Sequence, residues 1–220
     1  TDEQKIENGV VGSGVPYIWL DASKINGSND SGNPSDGGNI TTWTSRTNSK
    51  VAGQVAAVAQ PTWTDEGPET LPAAKFVNQL MSVPDTDETA VAWSAQNMSV
   101  FCVWKKISVS ASAWLWGRWI YSGAAPANRQ FGARDDLFFI SNDGSGNDSG
   151  IWAGMSSSFS IDCFHKDGTA LTVYRDGSSL STKTFSNGGI STGHAQWFCI
   201  GGIISTISAS TTVNTADFFL

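Results

Sequence analysis

The chain is short of positive charge, cysteine, histidine and long apolar runs, and each shortage removes a class of function. Thirteen Lys plus Arg stand against twenty Asp plus Glu, a formal charge of −7. No basic cluster breaks that balance, so a phosphate backbone is repelled on average and nucleic acid is not an expected partner. No segment approaches the ~18 consecutive apolar residues of a membrane-spanning helix. Thr1-Asp-Glu-Gln-Lys5 has no basic stretch leading into an apolar one, so the chain reads as soluble and unsecreted unless a leader has already been removed.

Three cysteines, Cys102, Cys163 and Cys199, are an odd number with no CxxC spacing, and each sits inside an apolar run. They predict buried free thiols in a protein assembled in a reducing cytosol, with a Cys163–Cys199 bridge between neighbouring strands as the alternative. His165 and His194 are the only histidines. His165 follows Cys163-Phe164 and leads into Lys166-Asp-Gly168, and His194 sits in Ser191-Thr-Gly-His-Ala195. Both read as exposed loop residues, since nothing nearby in sequence fixes a partner for a general base.

What the chain does have is aromatic residues and turn formers. Ten Trp, eleven Phe and 23 Gly occur among 220 residues, the composition of short strands joined by tight turns. A chain of this length buries about 70% of its unfolded surface as one domain, so no staple is required. Residues 1–14 are polar and glycine-punctuated and read as a flexible N-terminal arm, with one domain over 15–220.

Tyr17-Ile-Trp-Leu-Asp-Ala-Ser23 reads as a buried entry strand that ends at Asp21, whose carboxylate is expected to close an Asx turn rather than do chemistry. Residues 26–39 hold no bulky apolar side chain and read as an exposed loop. Further strands are expected at Ile40–Ser45, Val51–Val58, Pro72–Phe76, Leu80–Val83, Asn97–Trp104, Ala113–Tyr121 and onward to Ala216–Leu220, with no helix longer than a turn or two. Leu171–Arg175 and Leu180–Phe185 flank Asp176-Gly177-Ser-Ser179, the clearest hairpin, because Asp-Gly supplies the positive φ values of a tight turn. Together these predict an all-β, two-sheet antiparallel jelly-roll sandwich.

The order of Tyr17-Ile-Trp-Leu-Asp-Ala-Ser23, Ile40-Thr-Thr-Trp43, Gln60-Pro-Thr62, Leu71-Pro-Ala-Ala-Lys-Phe76, Met98-Ser-Val-Phe101, Val173-Tyr-Arg-Asp-Gly177 and Phe198-Cys-Ile-Gly-Gly202 resembles the concanavalin A-like lectin/glucanase superfamily. More narrowly it is similar to laminin-G-like jelly rolls found in phage and virion structural proteins. The resemblance covers residues 15–220 and implies fold more than function, because this architecture hosts lectins, glycosidases, lyases and structural modules. Glucan-hydrolysing members carry Glu-x-Asp-x-Glu on one strand, which places two carboxylates on one face for acid/base work. That triplet is missing; the nearest acidic cluster, Pro84-Asp-Thr-Asp-Glu-Thr89, has the wrong spacing on a turn.

The aromatic run Trp114, Trp116, Trp119 and Tyr121 fits either an inter-sheet core or a sugar-stacking platform. Trp119 and Tyr121, beside Arg118, are the expected ligand-binding residues. Asp143, Asn147 and Asp148, in the oxygen-rich loop 142–150, are the expected donors for a calcium ion if one binds; no other cofactor is implied. The expectation is a non-catalytic lectin-like module on a virion, a capsid or tail-associated protein of a phage assembled in the host cytoplasm. In it the arm contacts a neighbouring capsid or tail protein, surface glycans are a candidate ligand, and the chain forms a homo-oligomer. The alternatives are a free carbohydrate-binding domain, and a glycoside hydrolase or lyase with unaligned carboxylates.

Overall fold

The computed structural model describes residues 18–47, 49–54, 57–83, 97–108, 114–119, 129–134, 137–139, 149–185, 198–204, 212–213 and 217–220, some strand residues by backbone alone. The expected N-terminal arm and the acidic turn at 84–89 lie outside them. The described strands are β1 (Thr42–Thr44), β2 (Val51–Gly53), β3 (Thr62–Thr64), β4 (Ala73–Phe76), β5 (Met81–Val83), β6 (Asn97–Ser108), β7 (Trp114–Trp119), β8 (Arg129–Arg134) and β9 (Leu137–Phe139). They continue with β10 (Ser149–Ile151), β11 (Ser160–Asp167), β12 (Ala170–Arg175), β13 (Ser178–Thr184), β14 (Phe198–Ile200), β15 (Ile203–Ile204), β16 (Thr212–Val213) and β17 (Asp217–Phe219). Helical structure among the described residues is confined to three-residue 3-10 turns at Asp30–Gly32, Ala57–Ala59 and Pro68–Thr70.

Two sheets take almost all of the strands. One has eight, in the order β1-β2-β5-β14-β7-β8-β9-β10; the other has seven, in the order β13-β12-β11-β6-β17-β4-β3. Their ladders are antiparallel throughout, for example Phe164↔Val100 between β11 and β6 and Cys199↔Gly117 between β14 and β7. The chain is thus an all-β, two-sheet antiparallel jelly-roll sandwich, as its sequence predicts. The β12–β13 hairpin turns on Asp176 and Gly177 alone, both at positive φ (48° and 81°). That two-residue turn is tighter than the four-residue connection expected, and a bulge between Val173 and Tyr174 adjusts the register behind it.

The aromatic load fills the space between the sheets. Phe164 of β11 is buried and stands edge-on to Trp104 (6.1 Å, 83°), Trp116 (5.2 Å, 74°) and Trp152 (5.1 Å, 70°). Trp116 belongs to the opposite sheet, so these contacts tie the layers together, each pair adding about 0.5–1.5 kcal/mol beyond its area. Trp114 and Trp116 are both buried, which settles them as core. Leu115 and Gly117 are buried too, so both faces of β7 are covered.

The entry segment is not the strand its composition predicts. Ile18–Leu20 carry no ladder; instead Trp19 donates its backbone N–H to Ser45 Oγ at 3.0 Å, and its carbonyl accepts from Arg46 N–H at 2.9 Å. Tyr17 lies outside the described residues. The polar end overrides the apolar run. Asp21 Oδ1 accepts from Ser23 N–H (2.9 Å) and Ser23 Oγ (2.6 Å), the expected Asx turn, while Oδ2 pairs with Arg46 at 2.8 Å. Two indoles then clamp consecutive carbonyls, Trp43 of β1 onto Asp21 O and Trp63 of β3 onto Ala22 O, at 3.1 and 2.8 Å. Because β1 and β3 belong to different sheets, this turn does join the layers, by hydrogen bonds rather than as a strand. Similarly, Val51–Val58 is strand only to Gly53, since Gln54 N–H turns away to Thr41 O.

Candidate functional site

Strands β6, β11, β12 and β13 lie side by side at one end of the seven-stranded sheet, and their cross-strand register sets which residues share its outer face. In β11 the burial alternates from Ser160 to Asp167, with Ser160, Asp162, Phe164 and Lys166 turned inward. Ile161, Cys163, His165 and Asp167 therefore point outward. Register with β6 and β12 arranges the outer residues in rows. Cys163 lies between Phe101 and Tyr174, and His165 between Ser99 and Thr172, which is itself opposite Thr182. Val103 and Ile161 form the next pair.

The central row is aromatic and unusually open. Phe101 is 66% exposed, Val103 46% and Ile161 51%, although β6 and β11 are interior strands of the sheet. Single exposed apolar residues are ordinary, whereas a contiguous group on one sheet face marks a contact surface. The adjacent row is polar. Ser99 Oγ lies 2.8 Å from His165 Nδ1, and Thr172 Oγ1 lies 2.9 Å from Thr182 Oγ1. Burial pushes the Cys163 thiol above its ordinary value, with a hydrogen bond to Ser99 acting the other way. Across strands spaced about 4.8 Å apart, the four polar side chains span about 14 Å.

Several expectations change here. His165 is a strand residue with a side-chain partner, not a loop residue; the partner is 66 positions away, beyond reach of local sequence reasoning. The signal that could have found it is the alternation Ile161, Cys163, His165, Asp167 set against the strand around Ser99. All three cysteines are free, but only Cys102 and Cys199 are fully buried, and Cys163 is half-buried on the outer face. Cys163 and Cys199 stand on different sheets, so they are not the neighbouring-strand pair a bridge would need.

The residues expected to bind ligand fall elsewhere. Arg118 and Trp119 end β7 in the other sheet, opposite Phe198 and Arg129 respectively. Their side chains, and all of Tyr121, lie outside the described residues, as do Asp143, Asn147 and Asp148. In the loop at 26–39, Asn26 Oδ1 accepts from the N–H groups of Ser28 and Asn29, and Asn29 Oδ1 accepts from Ser31 N–H. Those amide oxygens bond the loop's own backbone. Among the described residues no three His, Cys, Asp or Glu side chains converge as metal ligands.

The expectation that the chain has no Gly-x-Ser-x-Gly elbow is also corrected by one run. Gly189-Ile-Ser191-Thr-Gly193 has the Gly-x-Ser-x-Gly spacing of a nucleophile elbow, which needs a strand before it and a helix after it. It lies outside the described residues, and the next described element is the strand β14.

The inner face holds a second polar group, enclosed by the core. Asp162, fully buried, accepts from Trp104 Nε1 (2.7 Å), Arg175 Nε (2.7 Å) and the same guanidinium's second nitrogen (2.8 Å). Arg175 also donates to Gly154 O, and Asp162 raises its guanidinium further. A carboxylate so fully engaged is structural. Lys166, on the same inner face, is buried, and that burial pushes its ammonium below the usual lysine range.

Neither a scan against protein-family models nor a search of curated proteins finds a match. Among solved structures the chain is similar to a conserved carbohydrate esterase, vb_24B_21, from Shiga toxin-encoding bacteriophage phi24B, at 13% identity and TM-score 0.39, covering 77% of this chain and 88% of that one. It is also similar to domain 4 of AbnA, a GH43 extracellular arabinanase from Geobacillus stearothermophilus, in complex with arabinotriose. There the identity is 16%, the TM-score 0.40, and the coverage 72% and 73%. A third is the alginate lyase AlgAT5 of polysaccharide lyase family 7, at 11% and 0.30, covering 81% and 77%. No site residue carries over at these levels. One expectation is nevertheless corrected: with an esterase and a lyase among these structures, a sandwich of this kind does not by itself argue for a non-catalytic module, and that exclusion is withdrawn.

Proposed function

We propose that the chain is a carbohydrate-directed sandwich that holds a glycan across the outer face of β6, β11, β12 and β13. The observation that carries this reading is the open Phe101 ring in one row with Tyr174, bordered by the polar row Ser99, His165, Thr172 and Thr182. A sugar ring has an apolar face and an equator of hydroxyls. The aromatic row supplies the surface on which the first stacks, and the polar row supplies partners for the second. The length of the polar row suits several sugar units rather than one. The chain's formal charge of −7 favours a neutral glycan over a polyanionic one. The carbohydrate esterase and the arabinotriose complex named above are carbohydrate-directed too, and the reading rests on the face itself.

The test is affinity electrophoresis against dextran, xylan, arabinan and galactomannan. Retardation that saturates with polysaccharide concentration is expected for at least one of the four; unretarded migration in all would refute the reading.

A further inference from the structure

We infer that Ser99 and His165 act as one donor–acceptor couple that selects a vicinal diol of a neutral sugar, an inference that rests on the outer face being the glycan-binding surface. The 2.8 Å contact between Ser99 Oγ and His165 Nδ1 fixes what the pair shows to a ligand. In one neutral tautomer the serine O–H donates to Nδ1, so Nε2–H is a donor facing out and a serine lone pair is an acceptor facing out. In the other, Nδ1–H donates to the serine oxygen, Nε2 becomes the outward acceptor, and the serine O–H becomes the outward donor. Either way the couple offers one donor and one acceptor.

The neighbours preserve that count. Burial raises the Cys163 thiol, beside them on the face, above its ordinary value, so at neutral pH it carries no charge that would draw the Ser99 hydroxyl away from His165. Thr172, opposite His165, is engaged with Thr182. Among the described residues Nε2 of His165 makes no hydrogen bond.

Adjacent sugar hydroxyls are the ligand such a couple fits. Each hydroxyl both donates and accepts, so a vicinal pair can give one hydrogen to the acceptor and take one from the donor at the same time. A lone hydroxyl uses half of the couple, and an ether oxygen in its place has no hydrogen to give. The pair lies one row from Phe101, so a sugar stacked on that ring presents its equator to Ser99 and His165. Stacking then sets affinity for a sugar ring, and the couple sets which hydroxyl pattern is preferred.

The experiment compares the four polysaccharides, native and O-methylated, against wild type, Ser99→Ala, Ser99→Thr, His165→Phe and Phe101→Ala. Methylation leaves the rings intact and removes the hydroxyl hydrogens. Wild type is expected to prefer native chains by about tenfold, as two net hydrogen bonds allow. Ser99→Ala and His165→Phe should bring that ratio toward one while Ser99→Thr keeps it, and Phe101→Ala should weaken native and methylated binding alike. A native-to-methylated ratio that survives both Ser99→Ala and His165→Phe overturns the diol couple but leaves the face reading standing. Binding untouched by Phe101→Ala, or absent for all four polysaccharides, overturns the face reading and the couple with it. Thermal melts of each variant separate misfolding from lost binding, and Ser99→Thr serves as the folded reference for the serine position.

Discussion

Arg175 grips Asp162 with two nitrogens across the β11–β12 pair, at 2.7 and 2.8 Å, while Trp104 donates to the same carboxylate. The carboxylate is fully buried, so its charge is tolerated only because three N–H donors replace water. Arg175→Ala is expected to cost about 3–5 kcal/mol in urea denaturation, because it leaves a buried charge without its counter-ion. The double variant Asp162→Asn, Arg175→Met removes both charges and should recover part of that loss. A single variant within about 1 kcal/mol of wild type would show that the pair contributes little.

Alkaline pH should destabilise the fold through its thiols. Burial raises Cys102 and Cys163 above the ordinary thiol value of 9.0. The unfolded chain therefore releases these protons first as pH rises past 9.0, while the native thiols keep theirs. Their stabilising contribution is intact below that pH and falls above it, for the fully buried Cys102 by about 1.4 kcal/mol per pH unit. Lys166 acts in the opposite sense below its ordinary value of 10.5, because its native ammonium is the more easily deprotonated form. The difference between wild type and Cys102→Ala isolates the thiol. The variant should lose stability less steeply above pH 9.0, and parallel pH profiles would contradict the assignment.

Gly150 faces the Phe138 ring across β9 and β10, and a Cβ built there meets the ring well inside van der Waals contact. Phe138 is itself buried among core side chains and cannot swing away. Gly150→Ala should therefore destabilise by about 1–3 kcal/mol, seen as a lowered Tm. Gly37 is the contrast. It also lacks a Cβ but has nothing within 4 Å of one, so Gly37→Ala bears only the strain of its positive φ.

Asp21 is a structural carboxylate, and its removal should be felt in stability rather than in binding. It closes the Asx turn at Ser23 and pairs with Arg46, whose guanidinium also stacks over Trp19 at 4.5 Å. Asp21→Ala is expected to cost about 1–3 kcal/mol, the penalty for unpairing partly buried donors. Polysaccharide affinity should remain at the wild-type level. A fall in affinity without a fall in Tm would instead assign Asp21 to a ligand site.

How far the sequence could be read depended on whether a feature was local. The Asp176-Gly177 hairpin and the Asx turn at Asp21 depend on residues within a few positions, and both were legible. The two-sheet architecture followed from strand-length apolar runs and turn spacing. The entry strand failed because Ile18–Leu20 has the composition of a strand but finds its partners in Ser45 and Arg46 rather than in a ladder. Strand β11 misled for a different reason. The alternation from Ile161 to Asp167 is visible, but it does not say which set faces the core; Asp162 and Lys166 do, while Ile161 and Cys163 face outward. That phase is set by Phe164 and by Arg175, thirteen residues past Asp162. The candidate face was invisible for the same reason, since Phe101, His165 and Tyr174 become neighbours only through β-sheet register.

The most direct measurement is the affinity of Phe101→Ala for whichever of the four polysaccharides retards the wild-type chain. Phe101 is 66% exposed and lies outside the core cluster, so its removal should leave the fold intact. Loss of the aromatic stacking surface and its apolar area should weaken binding about tenfold or more, with an unchanged Tm. Unaltered affinity in a folded Phe101→Ala chain would contradict the account and move the glycan to another surface.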